Sequence, residues 1–184
     1  MSNDNPRQGV SRGETYALAG LAVVAALLLW PKDNGRPIAP DDRVHLPPLM
    51  AQGWLNSESP ISNESLSGKI VVIDFWATSC PPCRAAMPRL AKLYAQYQPM
   101  GVEFIGLTPE SETDRQAIED FVSSIEGFDW PVGYGAYPTC DMLNITIFPT
   151  VIIFGPDGSS IWAGSHLDGV SEILDQTLAT MATK

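Results

Sequence analysis

Cysteine and histidine are scarce in this chain: three and two residues among 184. Three cysteines are too few to staple a small fold, so order must come from an apolar core. A composition that is 45% apolar supplies one. His45 and His166 lie far from the cysteines in sequence, and no second Cys-x-x-Cys occurs, which leaves structural zinc without its four ligands. Positive charge is short too. Eleven basic residues face 21 acidic ones, for a formal net charge of -10. Such a surface repels a polynucleotide, so no nucleic acid partner is expected; otherwise the charge serves solubility. No internal repeat is visible.

Long hydrophobic runs are also few. The stretch Tyr16 to Trp30 is apolar or small throughout. As a helix it would rise about 22 Å, short of a hydrocarbon core of about 30 Å, but Tyr16 and Trp30 could extend it into the interfaces. An uncleaved anchor in the lipid bilayer through residues 16–30 is expected. A cleaved signal peptide and a buried helix are the alternatives. No cysteine ends the stretch, which excludes a lipoprotein anchor. Arg7 and Arg12 before it, and Lys32, Arg36 and Arg43 after it, do not decide orientation. The expected division is a cytoplasmic stub and anchor (or signal peptide) over 1–30, a tether over 31–49 rich in Pro, Gly and charge, and a folded domain over 50–184. His45 to Ile61 is mixed and allows a short helix or a hairpin.

The domain alternates strand and helix. Ile70 to Trp76 is apolar except for Asp74, as in a strand buried on both faces. Pro82 to Gln98 is predicted helical, with Met87, Leu90, Leu93, Tyr94 and Tyr97 on one face. A strand over Val102 to Leu107 follows, then a helix over Ser111 to Ile125. A short strand is expected at Asp129 to Val132 before a loop at Gly133-Tyr134-Gly135, and a helical turn at Asp141 to Leu143. Thr150 to Phe154 and Ser159 to Ala163 flank a Gly-Pro-Asp-Gly turn as a hairpin. A helix over Asp168 to Met181 closes the chain. The pattern is an α/β sandwich: a central mixed β-sheet flanked by helices, with parallel crossovers first and a hairpin last.

The chemistry concentrates at Cys80-Pro81-Pro82-Cys83, where the apolar strand runs into a helix. Both sulfurs fall at the helix N-terminus, whose N–H groups and dipole lower a thiol pKa. Cys80 near the N-cap is the candidate attacking thiolate, and Cys83, one turn on, the candidate resolver. Pro81 and Pro82 occupy positions where a missing N–H costs little. Asp74, the one charged side chain in its strand, is expected to be partly buried with a raised pKa. It either exchanges a proton with Cys83 or only shapes the turn. Trp76 either flanks the site or belongs to the core. Phe148-Pro149-Thr150 opens a strand with a proline, a candidate cis bond whose neighbours' backbone groups could pair with an extended polypeptide.

Asp74 through Arg84, then Met87-Pro88, then Phe148-Pro149-Thr150 resemble the thioredoxin superfamily, most closely its membrane-anchored TlpA/ResA-like branch. The likeness covers roughly residues 50 to 184. Leu66-Ser67-Gly68-Lys69 and the added helix near 111 to 125 also fit that branch. The resemblance implies a thioredoxin-like sandwich with an N-terminal extension and an inserted helix. It also implies a thiol–disulfide oxidoreductase that needs no cofactor, because the cysteines carry the electrons. Cys80, Cys83, Asp74 and Pro149, the last as the cis-proline, would be catalytic; Trp76, Pro81, Pro82, Phe148 and Thr150 would meet the substrate. Pro88 would kink the helix. The partners implied are a disulfide-containing client protein and a membrane-embedded electron donor. The setting implied is the periplasm or otherwise outside the cytoplasm, and the net direction implied is reduction rather than oxidation; relatives serve cytochrome c precursors or copper-handling proteins. Ser79 departs from the pattern, which usually has tryptophan there. Cys140 is also additional: inert and buried, a relay to Cys83 or another protein, or a metal ligand. The competing functions are a copper-binding module using Cys80 and Cys83 with Cys140 or Met87, and a redox-inert partner-binding module of the same fold.

Overall fold

A computed structural model describes residues 35–183, which lie in a compact unit from Asp33 to Lys184. The stretch assigned above to an anchor lies outside the described residues. Among the described residues, no helix is long and apolar enough to cross a membrane.

In chain order the elements are β1 (Arg36–Pro37), β2 (Gly53–Leu55), α1 (Asn63–Leu66), β3 (Val71–Phe75), α2 (Pro81–Tyr97), β4 (Glu103–Leu107), α3 (Arg115–Ser123), β5 (Val132–Tyr134), α4 (Tyr137–Met142), β6 (Thr150–Phe154), β7 (Ser160–Gly164) and α5 (Val170–Ala182). The seven strands form one sheet in the order β1-β7-β6-β3-β4-β5-β2. Strands β3, β4 and β5 are parallel, joined by helical crossovers; β6, β7, β1 and β2 add antiparallel pairings. This is the α/β thioredoxin-like sandwich with a mixed sheet, an N-terminal extension and an inserted helix, α3.

Strand β3 explains the layering. It is buried along its whole length and paired on both sides. Successive side chains point to opposite faces. Val72 and Trp76 join the core beneath α2, α3 and α5, with Met87, Leu90, Ile118, Phe121, Val170 and Leu174. Val71, Ile73 and Phe75 join the core on the other face, with Leu66 of α1 and Cys140 of α4. Asp74 shares the alternation of Val72 and Trp76, so its carboxyl lies on the α2 face.

Of the residues expected to form a tether, those described, from Gly35 on, are built into the domain. Arg36 and Pro37 pair with Ala163 and Trp162, Ile38 N–H donates to Ile161 O at 2.9 Å, and Leu46 N–H to Gly158 O at 2.8 Å. The pairing is possible because two backbones meet without side chains: a Cβ on Gly164 would lie 2.3 Å from Gly35 Cα. Proline at 37 marks an edge strand, where its missing N–H breaks no ladder on the outer side. In the mixed segment after His45, neither a helix nor a local hairpin forms; β2 instead pairs with the distant β5.

The expected strand at Asp129 to Val132 also shifts. The strand is Val132–Tyr134, and Gly133-Tyr134, assigned above to a loop, lies within it. Gly133 permits this because β2 and β4 close over it: a Cβ there would meet Leu107 Cδ2 at 2.9 Å, Ala51 Cβ at 3.1 Å and the Trp54 ring at 3.2 Å. The helix after Ser111 begins as a 3-10 turn, with Asp114 accepting from Ser111 N–H at 3.1 Å, and is helical proper over Arg115–Ser123. The turn expected at Asp141 starts earlier, at Tyr137. Overpacking a filled site costs about 1–3 kcal/mol. Gly133→Val should therefore lower the unfolding free energy by an amount in that range, read from denaturant titrations, and an unchanged value would contradict the close packing.

Candidate active site

Cys80 and Cys83 form a disulfide, with Cα atoms 5.3 Å apart. Cys80 is the N-cap of α2, in extended backbone at φ -102° and ψ 99°, with Pro81 and Pro82 following. Its Sγ accepts from Cys83 N–H at 3.2 Å. A sulfur so placed receives an N–H that the helix leaves unpaired, together with the positive end of the helix dipole. Exposure divides the pair: Cys80 is half-buried, Cys83 fully buried. Pro81 and Pro82 are exposed at the rim. Pro88 lies inside α2, where it removes the N–H that would bond the Arg84 carbonyl.

The Phe148–Pro149 bond is cis. Antiparallel pairing sets Thr150 opposite Phe75, so the cis-proline stands at the sheet end from which the chain leaves for Cys80. Phe148, Pro149 and Thr150 are partly exposed, and Ile147 is 66% exposed. Thr150 Oγ1 donates to Ile147 O at 2.7 Å, which closes this loop.

Asp74 is 4% exposed and burial raises its pKa to about 7. Its Oδ2 has no hydrogen-bond partner among the described residues, and neither do Trp76 Nε1 and Trp130 Nε1. These groups are neighbours. Asp74 pairs in register with Gly106, and a Cβ on Gly106 would lie 3.0 Å from Trp76 Nε1 and 3.3 Å from Trp130 Nε1. The absence of a side chain at 106 thus admits two indoles beside the acid.

Trp76 is fully buried, stacked on Phe121 at 4.5 Å between ring centroids. Of its two readings, the core one fits this burial. Arg84 covers the outer side of Phe121, 4.3 Å above the ring, and donates to Ser124 Oγ at 2.8 Å. It ties the first turn of α2 to the inserted helix. Cys140 is 3% exposed, and burial pushes its thiol up to about 11. It packs on the sheet face opposite Cys83. That separation removes it as a relay to Cys83 and as a third ligand beside the pair.

Glu110 was not among the candidates from sequence. Its carboxylate accepts from Thr78 N–H at 2.9 Å, from the Thr78 hydroxyl, and from the Thr108 hydroxyl at 2.9 Å. The sole hint in sequence is that it is the one acid in the loop directly after a predicted central strand.

The thioredoxin-like family matches residues 68–160, half of the chain. The chain belongs to that family. Among curated proteins it is 32% identical over 119 residues to the thiol-disulfide oxidoreductase ResA of Halalkalibacterium halodurans, covering 64% of each. It is 42% identical over 102 residues to ResA of Bacillus thuringiensis, covering 55% of this chain and 57% of that protein. The chain thus spans between half and two-thirds of these relatives' length. The solution structure of a thioredoxin-like protein in its oxidised form superposes with a TM-score of 0.64 at 24% identity, over 75% of this chain and 97% of that one. At that identity the likeness concerns the fold.

The raised Asp74 pKa has a stability consequence. Between about pH 4 and 7 the folded carboxyl holds a proton that the unfolded chain has released, so stability falls as pH rises through that window. Above pH 7 the penalty of the buried charge is fully present. Asp74→Asn should therefore be more stable than the parent at pH 8, by on the order of 2–4 kcal/mol, with the difference vanishing near pH 3. Denaturant titrations at both pH values measure it; a difference independent of pH would refute the assignment.

Proposed function

We propose that the protein is a thiol–disulfide oxidoreductase acting on protein disulfides outside the cytoplasm. The observation that carries this reading is the placement of one accessible sulfur at a helix N-cap, with its partner buried one turn below. In the reduced protein Cys80 is the thiolate. It attacks one sulfur of a client disulfide, forming a mixed disulfide and releasing the client's other sulfur as a thiolate that takes up a proton. Cys83 then loses its proton, with Asp74 as the acceptor, and attacks Cys80 Sγ. The client leaves as a dithiol and the Cys80–Cys83 disulfide remains, two electrons having passed. A dithiol donor reverses the last state. The cysteines carry the electrons, so no cofactor enters.

Each supporting residue has a role in this scheme. A carboxyl with pKa near 7 is poised to accept a proton at neutral pH and to return it. The partly exposed segment Phe148 to Thr150, which holds Pro149, lies at the sheet end from which the chain leaves for Cys80, where an extended client segment can pair with free backbone groups. Pro81 and Pro82 form part of the same contact surface. The resemblance to the TlpA/ResA-like branch implies reduction as the net direction, and a membrane-embedded dithiol donor as the electron source. The apolar stretch 16–30 supports membrane anchoring, as in the TlpA/ResA-like branch. Copper binding is the weaker reading, since Cys140 lies across the sheet from the pair.

Two outcomes are expected. Cys83→Ala should accumulate a covalent adduct between Cys80 and its client, seen as a reducible band on non-reducing gels. Cys80→Ala should accumulate none; the opposite pattern would reverse the thiol roles. In a bacterial host, the full chain should stay with membranes through alkaline carbonate washing, and external protease should degrade the folded domain in cells stripped of their outer layer. Release by carbonate would refute the anchor, and protection from protease would refute the extracytoplasmic setting.

A further inference from the structure

We propose that Glu110 is a positioning residue of the redox site, acting on Cys80 through Thr78. The inference rests on Cys80 being the nucleophile. The chain between β3 and α2 turns once: Cys80 N–H donates to Ala77 O at 3.2 Å, with Thr78 and Ser79 at the corner. Cys80 is thus both the last residue of that turn and the first of the helix cap. The angle at which the turn delivers Cys80 sets whether its sulfur meets the Cys83 N–H.

Glu110 holds the corner. The Thr78 N–H reaches both carboxylate oxygens, at 2.9 and 3.1 Å, and the Thr78 hydroxyl reaches Oε1. The carboxylate is itself fixed from the other side. The hydroxyl of fully buried Thr108 donates to Oε2 at 2.9 Å, Glu110 N–H donates back to Thr108 Oγ1 at 3.3 Å, and Glu110 O accepts from Gly135 N–H. Glu110 therefore ties together the loops that follow β3, β4 and β5, the three parallel strands. A carboxylate accepts from several donors at once, and a neutral amide cannot present two acceptor oxygens to them.

The donors around this carboxylate are neutral hydroxyl and backbone groups, so its charge opposes a thiolate at Cys80. Positioning and charge then predict opposite signs. Loss of the positioning contact moves Cys80 off its cap and raises the thiol pKa; loss of a nearby negative charge alone lowers it. The test follows alkylation of the reduced full-length protein by iodoacetamide against pH, with the modified cysteine identified by mass spectrometry. In Glu110→Gln the apparent pKa of Cys80 should rise, and the rate at pH 7 should fall roughly three- to tenfold, the loss expected when a charge-assisted cap contact is weakened. Thr78→Ser, which keeps both donors, should retain the parent profile. An unchanged or lowered pKa in Glu110→Gln overturns the proposal. Should that variant fail to fold, Thr78→Val, which keeps the carboxylate and the backbone donor, carries the test: a raised pKa supports positioning and an unaltered one overturns it. If Cys80 of the parent reacts no faster than a free thiol, the nucleophile assignment has failed instead.

Discussion

The N–H of Cys83 pointing at the sulfur of Cys80, 3.2 Å away, is the contact on which the chemistry rests. Most helices satisfy the first N–H groups with a hydroxyl or carboxylate oxygen. Here the capping atom is the sulfur that the proposed scheme makes the nucleophile, so in that scheme whatever strengthens the cap also stabilises the thiolate. The contact requires a strand end, a tight turn and a helix start in fixed relation. Burial of β3 on both faces fixes the first, the Glu110–Thr78 contact holds the second, and the apolar face of α2 anchors the third with Cys83, Met87 and Leu90. Few residues touch the sulfurs, yet a strand, a helix and two loops determine where they lie.

Much of this was legible in the chain. Strand β3, helix α2 and the hairpin of β6 and β7 announce themselves through apolar run length, 3.6-residue periodicity and a Gly-Pro-Asp-Gly turn, all local signals. The places of Cys80, Cys83, Asp74 and Pro149 in the fold were readable because they follow from those elements. The misplaced parts depend on partners distant in sequence. Arg36–Pro37 resembles a linker until the edge of β7 supplies its hydrogen bonds, and Gly133 resembles a loop residue until Trp54 and Leu107 close over it. Glu110 was illegible for the same reason: its meaning lies in Thr78, 32 residues earlier. Trp76 was ambiguous because adjacency to the cysteines does not reveal whether a side chain is covered; Phe121 of the inserted helix covers this one.

Burial of Asp74 among orphaned indole N–H groups goes against local stability. An asparagine or an apolar residue would sit there at less expense. The acid is placed so that only its neutral form is comfortable at low pH and its charged form is accessible near neutrality. Such a group can take up and release a proton near neutrality. The penalty falls on the α2 face, where Leu90, Phe121, Val170 and Leu174 provide apolar burial to offset it.

The third cysteine poses the converse problem. A protein with the proposed activity risks trapping its own spare thiol, because exchange needs only a thiolate within reach of the sulfur pair. Two features of Cys140 prevent this. Burial lifts its pKa to about 11, so little thiolate exists near neutrality. The sheet itself also stands between it and the site, since Cys140 packs with Val71, Ile73 and Phe75 while Cys83 packs with Val72 and Trp76. Reaching Cys80 would require the central strand to open, and β3 is paired on both sides along its length. The same alternation along β3 that brings Asp74 to the dithiol face therefore keeps Cys140 away from it.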